Sequence, residues 1–313
     1  MAVQKKCEEN GELLMEKELL TPYTYLLQIS GKQIRVKSAE AFNHWLQIPY
    51  EKMKAIVDTV NSIHVGTLLI DDIQDDARVR RGLPAAHYVY GIPLVINSSV
   101  HVIFTGMEKA GTLCRKGDKL VAKSFLEACR GQGMEIYWRD RFVCPTEEQY
   151  RRMVELKIGG MFLMPVRMMQ SLSENKTDYN RFALLLAYYF QIRDDYCNIC
   201  KQEALEEWPG AEEKQVCKDD SFCEDITEGK FTIMIIHAMK TAACEEIMNI
   251  LRKRTRDVNL KKYFVLLLEK AGSLKYTEDV LSELDRKLRA EVARFGGNPM
   301  MESVLDELLS WKS

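Results

Sequence analysis

Between Leu68 and Gly82 the chain reads LLIDDIQDDARVRRG: an apolar run, then Asp71, Asp72, Asp75 and Asp76, then three arginines. On a helix, residues three and four apart share a face, so Asp71, Asp72 and Asp75 can aim their carboxylates the same way. A second stretch, QIRDDYCN, repeats the spacing with Asp194, Asp195 and Asn198, and opens with Gln191. Both clusters close apolar helical runs that must be largely buried. Like charges at this spacing cost a few tenths of a kcal/mol per pair, and at the wall of a core they also lose solvation. A metal ion removes both costs. Mg²⁺ takes one or two carboxylates and fills its shell with water and phosphate oxygens. One such cluster alone reads as a solvated helix end. Two, with cations nearby, read as a clamp for a diphosphate held on several Mg²⁺ ions.

The cations are present. Arg80 and Arg81 follow the first cluster, Lys157 stands in ELKIGG, Lys230 ends EDITEGK, and Lys32 and Arg35 share GKQIR. Arginine matches phosphate oxygens in pairs, and lysine supplies a point charge. Taken singly, each is more commonly a surface charge. His64 lies two helical turns before Asp71. A histidine on an apolar helix is ordinarily a core residue, unless its face opens on the same cavity.

Helices must position these groups. EKMKAIVDTVNSIHVGTLLIDDIQD, RRMVELKIGGMFLMPVRMMQSLS, RFALLLAYYFQIRDDYCNIC and KFTIMIIHAMKTAACEEIMNILRKR all carry apolar residues at helical spacing. Alternating strand patterns are scarce. The expected fold is all-α, a single domain over residues 1–313 with roughly ten or more helices. Residues 1–18 read as an N-terminal extension. Residues 201–220, polar and broken by Pro209-Gly210, read as a flexible surface loop. Apolar residues make up 46% of 313, enough for a sizeable core, and a net charge of -2 argues against general nucleic-acid binding. The N-terminus has no apolar signal segment, and no run reaches the roughly 18 apolar residues of a membrane span. Nine scattered cysteines fit reduced thiols and a cytoplasmic location. The Cys197–Cys200 pair lacks the second pair or histidines that zinc would require.

These motifs resemble the trans-isoprenyl diphosphate synthases, most closely the animal and fungal geranylgeranyl diphosphate synthases. GKQIR, LLIDDIQD, RRGLPAAH, GIPLVIN, GQGMEIYWRD, CPTEEQY, FQIRDDY and SFCEDITEGKF carry the likeness, which spans nearly the whole chain. The resemblance implies an isoprenoid-synthase-type helical barrel around a deep central cavity, with homodimers or higher homo-oligomers. It implies Mg²⁺ on Asp71, Asp72, Asp75, Asp194, Asp195 and Asn198. It assigns Arg80, Lys157, Gln191 and Lys230 to the diphosphate of an allylic substrate (geranyl, farnesyl or geranylgeranyl diphosphate). It assigns Lys32, Arg35, His64 and Arg81 to isopentenyl diphosphate. The catalytic set would be Asp71, Asp72, Asp75, Asp194, Lys157 and Lys230. Gly66 and Thr67, small and just before the first cluster, are expected to leave depth for a product longer than ten carbons.

The sequence also departs from the family pattern. Ile158 stands where the family usually has threonine, Asp220 where it has lysine, and Met234 where a proline is usual. Pro165, Arg167, Tyr188, Tyr189 and His101 fall in stretches expected to face the cavity. Two readings follow: a prenyltransferase making geranylgeranyl diphosphate, or a diverged copy that cyclises geranylgeranyl or farnesyl diphosphate as a terpene synthase. A weakly active partner subunit is a third.

Overall fold

The computed structural model describes residues 15–29, 31, 33–200 and 222–312. Lys32, Asp220 and the rest of the 201–220 loop fall outside the described residues. The architecture is all-α. Helices α1 (Thr21–Leu27), α2 (Ile34–Leu46) and α3 (Tyr50–Gln74) come first, followed by a hairpin of β1 (Val79–Arg80) and β2 (Leu83–Pro84). Then come α4 (Ala86–Tyr90), α5 (Ile92–Leu113), α6 (Gly117–Arg141), α7 (Glu147–Lys157), α8 (Gly159–Gln170) and α9 (Asn180–Cys200). The last helices are α10 (Glu224–Glu228), α11 (Ile233–Ala238), α12 (Cys244–Leu251), α13 (Val258–Lys270), α14 (Ser273–Arg294) and α15 (Pro299–Leu308).

Helix α3 shows why the first acidic cluster sits where it does. Pro49 precedes it and Glu51 lies in its first turn, where a negative charge suits the helix dipole. Its buried residues begin as a stripe (Met53, Ile56, Val57, Val60, Ile63) and reach Leu69 and Asp72 without a break. The apolar run therefore drives the helix inward, and its acidic end follows. Helix α5 lies close against it. Ser99 Oγ donates to the Gly66 carbonyl at 2.6 Å, and a Cβ on Gly106 would stand 2.5 Å from Ile63 Cγ1.

Three features go beyond what periodicity shows. The periodic stretch from Arg151 to Ser173 is two helices, broken at Ile158 between α7 and α8. The stretch from Lys230 to Arg254 likewise divides into α11 and α12. The hairpin was not anticipated. Its turn is Arg81-Gly82, with φ of 54° and 78°, the backbone of a two-residue turn with both central residues left-handed. That turn places Arg80 and Arg81 on successive residues beside the end of α3.

An aromatic cluster anchors the far part of the core. Trp45 stacks on Tyr179 with centroids 5.2 Å apart, and Phe42, Phe182 and Phe295 meet them edge-on or tilted. The Trp45 indole donates to the Gly297 carbonyl at 3.0 Å. Pro165 lies within α8, which continues through it as a buried helix.

The approach of α6 to α7 bears directly on chemistry. A Cβ on Gly131 would fall 2.3 Å from the backbone nitrogen of Lys157. Only glycine allows the two helices to meet there. Gly131→Ala is expected to cost roughly 1–3 kcal/mol of stability through overpacking, and to displace Lys157. Urea denaturation measures the first effect; an unchanged midpoint would contradict this close packing.

Candidate active site

A cavity of about 560 Å³ opens at the C-terminal end of α3. Its wall takes Arg35 from α2, His64, Thr67, Leu68 and Asp71 from α3, and Arg80 and Arg81 from the hairpin. Helix α6 adds Phe125, Cys129, Gln132 and Gly133, and the α7–α8 junction adds Lys157, Ile158 and Met161. Helix α9 contributes Phe190, Gln191, Asp194 and Asn198; α10 and the residues after it contribute Glu224, Asp225, Glu228 and Lys230. Helices thus surround a central cavity, as the resemblance implied.

Four cations stand among the acids. Arg80 Nε donates to Asp72 Oδ1 at 2.6 Å, and its Nη2 lies 3.5 Å from Asp71. Lys157 pairs with Glu135 and lies 3.6 Å from Asp71 Oδ1. Lys230 pairs with Glu228 and reaches Asp75 at 3.4 Å and Asp225 at 3.5 Å. Arg139, buried at the end of α6, donates to Asp75 Oδ1 at 2.6 Å and to the Gln74 carbonyl at 3.0 Å. Gln132 Nε2 donates to Asp71 Oδ1 at 3.0 Å.

These contacts divide the acidic residues into two tiers. Asp71, Asp194 and Asn198 line the cavity. Asp72 and Asp75 are buried behind it, held by Arg80, Arg139 and Lys230. Asp195 is also buried behind it, accepting from the Tyr150 hydroxyl and from Gln191 Nε2. Among the described residues, no three acids, histidines or cysteines stand in the arrangement of a metal ligand set. Cations occupy the space between the carboxylates.

The acids that line the cavity differ in charge. Burial pushes Asp71 up, but Lys157, Lys230 and Arg80 outweigh it and hold the carboxyl at about 2. Burial raises Glu224 to about 7, against the pull of Arg80 and Lys230, and raises Asp225 to about 6, against Lys230. Burial would lower Lys157, yet Glu135 and Asp71 keep it above the ordinary lysine value.

A second basic group faces the same cavity. Arg35 Nη1 lies 3.0 Å from His64 Nε2, and its guanidinium sits over the ring of Phe190 at 4.9 Å and of Phe162 at 5.6 Å. Arg81 Nη1 donates to the Ile29 carbonyl at 2.7 Å. His64 is pushed well below the ordinary imidazole value, first by burial and then by Arg35, Arg81 and Arg80. It is therefore neutral, and Nε2 accepts from Arg35.

Sequence reasoning missed Glu135, Arg139, Gln132 and the acids of α10. The signals were there. Glu135 is one turn beyond Gly131 on the face that packs against Lys157. Glu224, Asp225 and Glu228 repeat the spacing of the first cluster. Other expectations are corrected. Tyr188 and Tyr189 are buried away from the cavity: Tyr189 accepts from the Trp311 indole, and Tyr188 packs by Tyr150 under Arg151. Arg167 donates to Asn180, and His101 lies 3.5 Å from Glu16 rather than at a cavity floor. Thr67 lines the cavity, but Gly66 faces Val102 and Ile103 of α5, so its smallness serves helix packing.

The His64 environment gives a pH prediction. The folded state keeps the ring neutral, whereas the unfolded chain binds a proton below about 6.5. Its contribution to stability is complete above that value and falls as pH drops through it, by about 1 kcal/mol for the first unit. Comparing wild type with His64→Gln by urea denaturation at pH 7.5 and 5.5 isolates it. The wild type should lose more stability than the variant; equal losses would show that the ring is protonated in the fold.

The Polyprenyl synthetase family model matches residues 16–268. A terpene synthase of Matsumurasca onukii is 47% identical over 304 residues, covering 96% of each chain. A geranylgeranyl pyrophosphate synthase of Mucor circinelloides f. lusitanicus is 36% identical over 299 residues, covering 93% of this chain and 92% of its own. Another such synthase, from Penicillium paxilli, is 41% identical over 296 residues, covering 92% and 76%. With its paired acidic clusters around a helical cavity, the chain belongs to the polyprenyl synthetase family, the trans-isoprenyl diphosphate synthases.

Proposed function

We propose that the cavity binds an allylic diphosphate and isopentenyl diphosphate together and condenses them, with geranylgeranyl diphosphate as product. The observation that carries this reading is that one cavity has two cationic groups on different parts of its wall: Arg80, Lys157 and Lys230 beside the first acidic cluster, and Arg35 and Arg81 beside the neutral His64. Arg80, Lys157 and Lys230 suit a diphosphate that leaves; Arg35, His64 and Arg81 suit a diphosphate that stays. A cyclase has no use for the second group. The volume of about 560 Å³ lies within the range of about 300–1,000 Å³ of small-molecule sites.

The donors at the acidic end are all oxygens, and Asp72 Oδ2 is buried without a hydrogen bond, while Asp75 Oδ2 and Glu228 Oε2 face only the Lys230 ammonium. Such a set fits a hard cation such as Mg²⁺. Asp71, Asp194 and Asn198 would hold it from the cavity wall, with Asp72, Asp75 and Asp195 behind them. Bound there, Mg²⁺ supplies charge neutralisation for the leaving diphosphate. Lys157, Lys230, Arg80 and Gln191 then stabilise the same developing charge, so the bond from oxygen to the allylic carbon breaks. The alkene of isopentenyl diphosphate, held by Arg35 and its neighbours, attacks the allylic cation. The departed diphosphate takes the proton. Phe125, Ile158, Met161 and Phe190 exclude water that would quench the cation.

A second reading is cyclisation of geranylgeranyl or farnesyl diphosphate. It is favoured by the likeness to the terpene synthase of Matsumurasca onukii and by Ile158, which puts an apolar wall beside Lys157. A weakly active partner subunit is the third. One assay separates them: purified protein with Mg²⁺ receives either farnesyl plus isopentenyl diphosphate, or geranylgeranyl diphosphate alone. A twenty-carbon alcohol released by phosphatase from the first supports condensation. A volatile hydrocarbon from the second supports cyclisation, and no consumption in either supports the partner role. Asp71→Ala and Asp194→Ala should each lower turnover on the order of 100-fold or more; a variant keeping most of its activity would contradict the clamp.

We also propose a homodimer through α5. Ile92, Ile96, Val100 and Phe104 recur every fourth residue and are 41–60% exposed, an apolar stripe of the kind that marks an interface. Phe104→Asp should shift the mass in light scattering from dimer to monomer; an unchanged mass would place the interface elsewhere. A cytoplasmic location is consistent with the free cysteines among the described residues and with the lack of any described helix long and apolar enough to cross a membrane.

A further inference from the structure

A second, much smaller cavity of about 10 Å³ adjoins the first. Lys157, Gln191 and Lys230 line both. Glu135, Tyr150, Asp195 and Thr232 complete its polar wall. Thr232, the N-cap of α11, is 2% exposed, and its hydroxyl has no protein hydrogen-bond partner. Leaving a buried hydroxyl unmade is costly, and native proteins rarely do so. The space is about what one water needs, and it is too small for a phosphate or a hydrated cation. It also offers the several polar partners that a buried water requires: two hydroxyls, an amide, two carboxylates and two ammonium groups.

We propose that this cavity is a site for one tightly held water, anchored by Thr232, that links Glu135 to Asp195 and keeps Lys157 and Lys230 aimed at the main cavity. Glu135 belongs to the ion pairs around the first cluster, and Asp195, which accepts from Gln191, is a member of the second. The water therefore couples the two acidic walls, and Thr232 is a positioning residue acting through it. The role of the lysines rests on the proposed allylic diphosphate site; the water itself does not.

Crystals of the metal-free full chain, at a resolution that reveals waters, test the site. Density within hydrogen-bond distance of Thr232 Oγ1 is expected in the wild type and absent in Thr232→Val, which keeps the shape and removes the hydroxyl. No density in the wild type overturns the proposal, whether or not the variant folds. Calorimetry with an unreactive thio analogue of an allylic diphosphate tests the positioning role. Thr232→Val should weaken binding about fivefold, Thr232→Ser should restore it, and isopentenyl diphosphate should bind all three alike. Equal allylic binding in wild type and Thr232→Val overturns the positioning role. If the wild type binds no allylic analogue, the proposed function fails, and the crystallographic result still decides the water.

Discussion

Buried negative charge at the end of α3 is the constraint around which the structure is organised. Asp72 and Asp75 are almost wholly buried, and isolated carboxylates in that position would be strongly penalised. Arg80, Arg139 and Lys230 compensate them directly, while Lys157 compensates Asp71 and Glu135. Such pairs contribute little net stability against a well-packed apolar alternative. Under the proposed function their value lies elsewhere: Arg80, Lys157 and Lys230, which line the cavity, would balance carboxylates in the free protein and turn to a diphosphate when one binds. The same side chains thus hold the fold and present the charge.

Much of the fold serves those few cations. The Arg81-Gly82 turn sets Arg80 against Asp72. Gly131 brings α6 close enough for Glu135 to meet Lys157. The break at Ile158 ends α7 so that Lys157 stands at a helix terminus facing the cavity. The short helix α10 delivers Lys230 together with its own acids. Each device is local, yet each acts on the end of α3.

The sequence was most informative where one period ran long. Helix α3 falls within a residue of its apolar pattern, and the acidic spacing identified both walls of the site. It was least informative where backbone geometry or packing decided the outcome. Two consecutive residues with positive φ made a hairpin that no alternating pattern announced. Tyr188 and Tyr189 lie on a helix buried on several sides, so periodicity did not say which face met the cavity. Gly66 was read as room for substrate because smallness has the same appearance whether it admits a ligand or a neighbouring helix. Glu224, Asp225 and Glu228 lie within six residues of Lys230 and repeat the first cluster's spacing, but they stand on a five-residue helix with no long apolar run leading into it, so nothing in the pattern shows that they are buried.

The central claim is that two diphosphates occupy one cavity at once. Titrating isopentenyl diphosphate calorimetrically into protein already saturated with Mg²⁺ and an unreactive allylic thio analogue tests it most directly. The account predicts one isopentenyl diphosphate bound per chain in the presence of the analogue, with binding lost in Arg35→Met while the analogue still binds. Isopentenyl diphosphate that displaces the analogue, or binds only in its absence, would mean a single diphosphate site and would contradict the account.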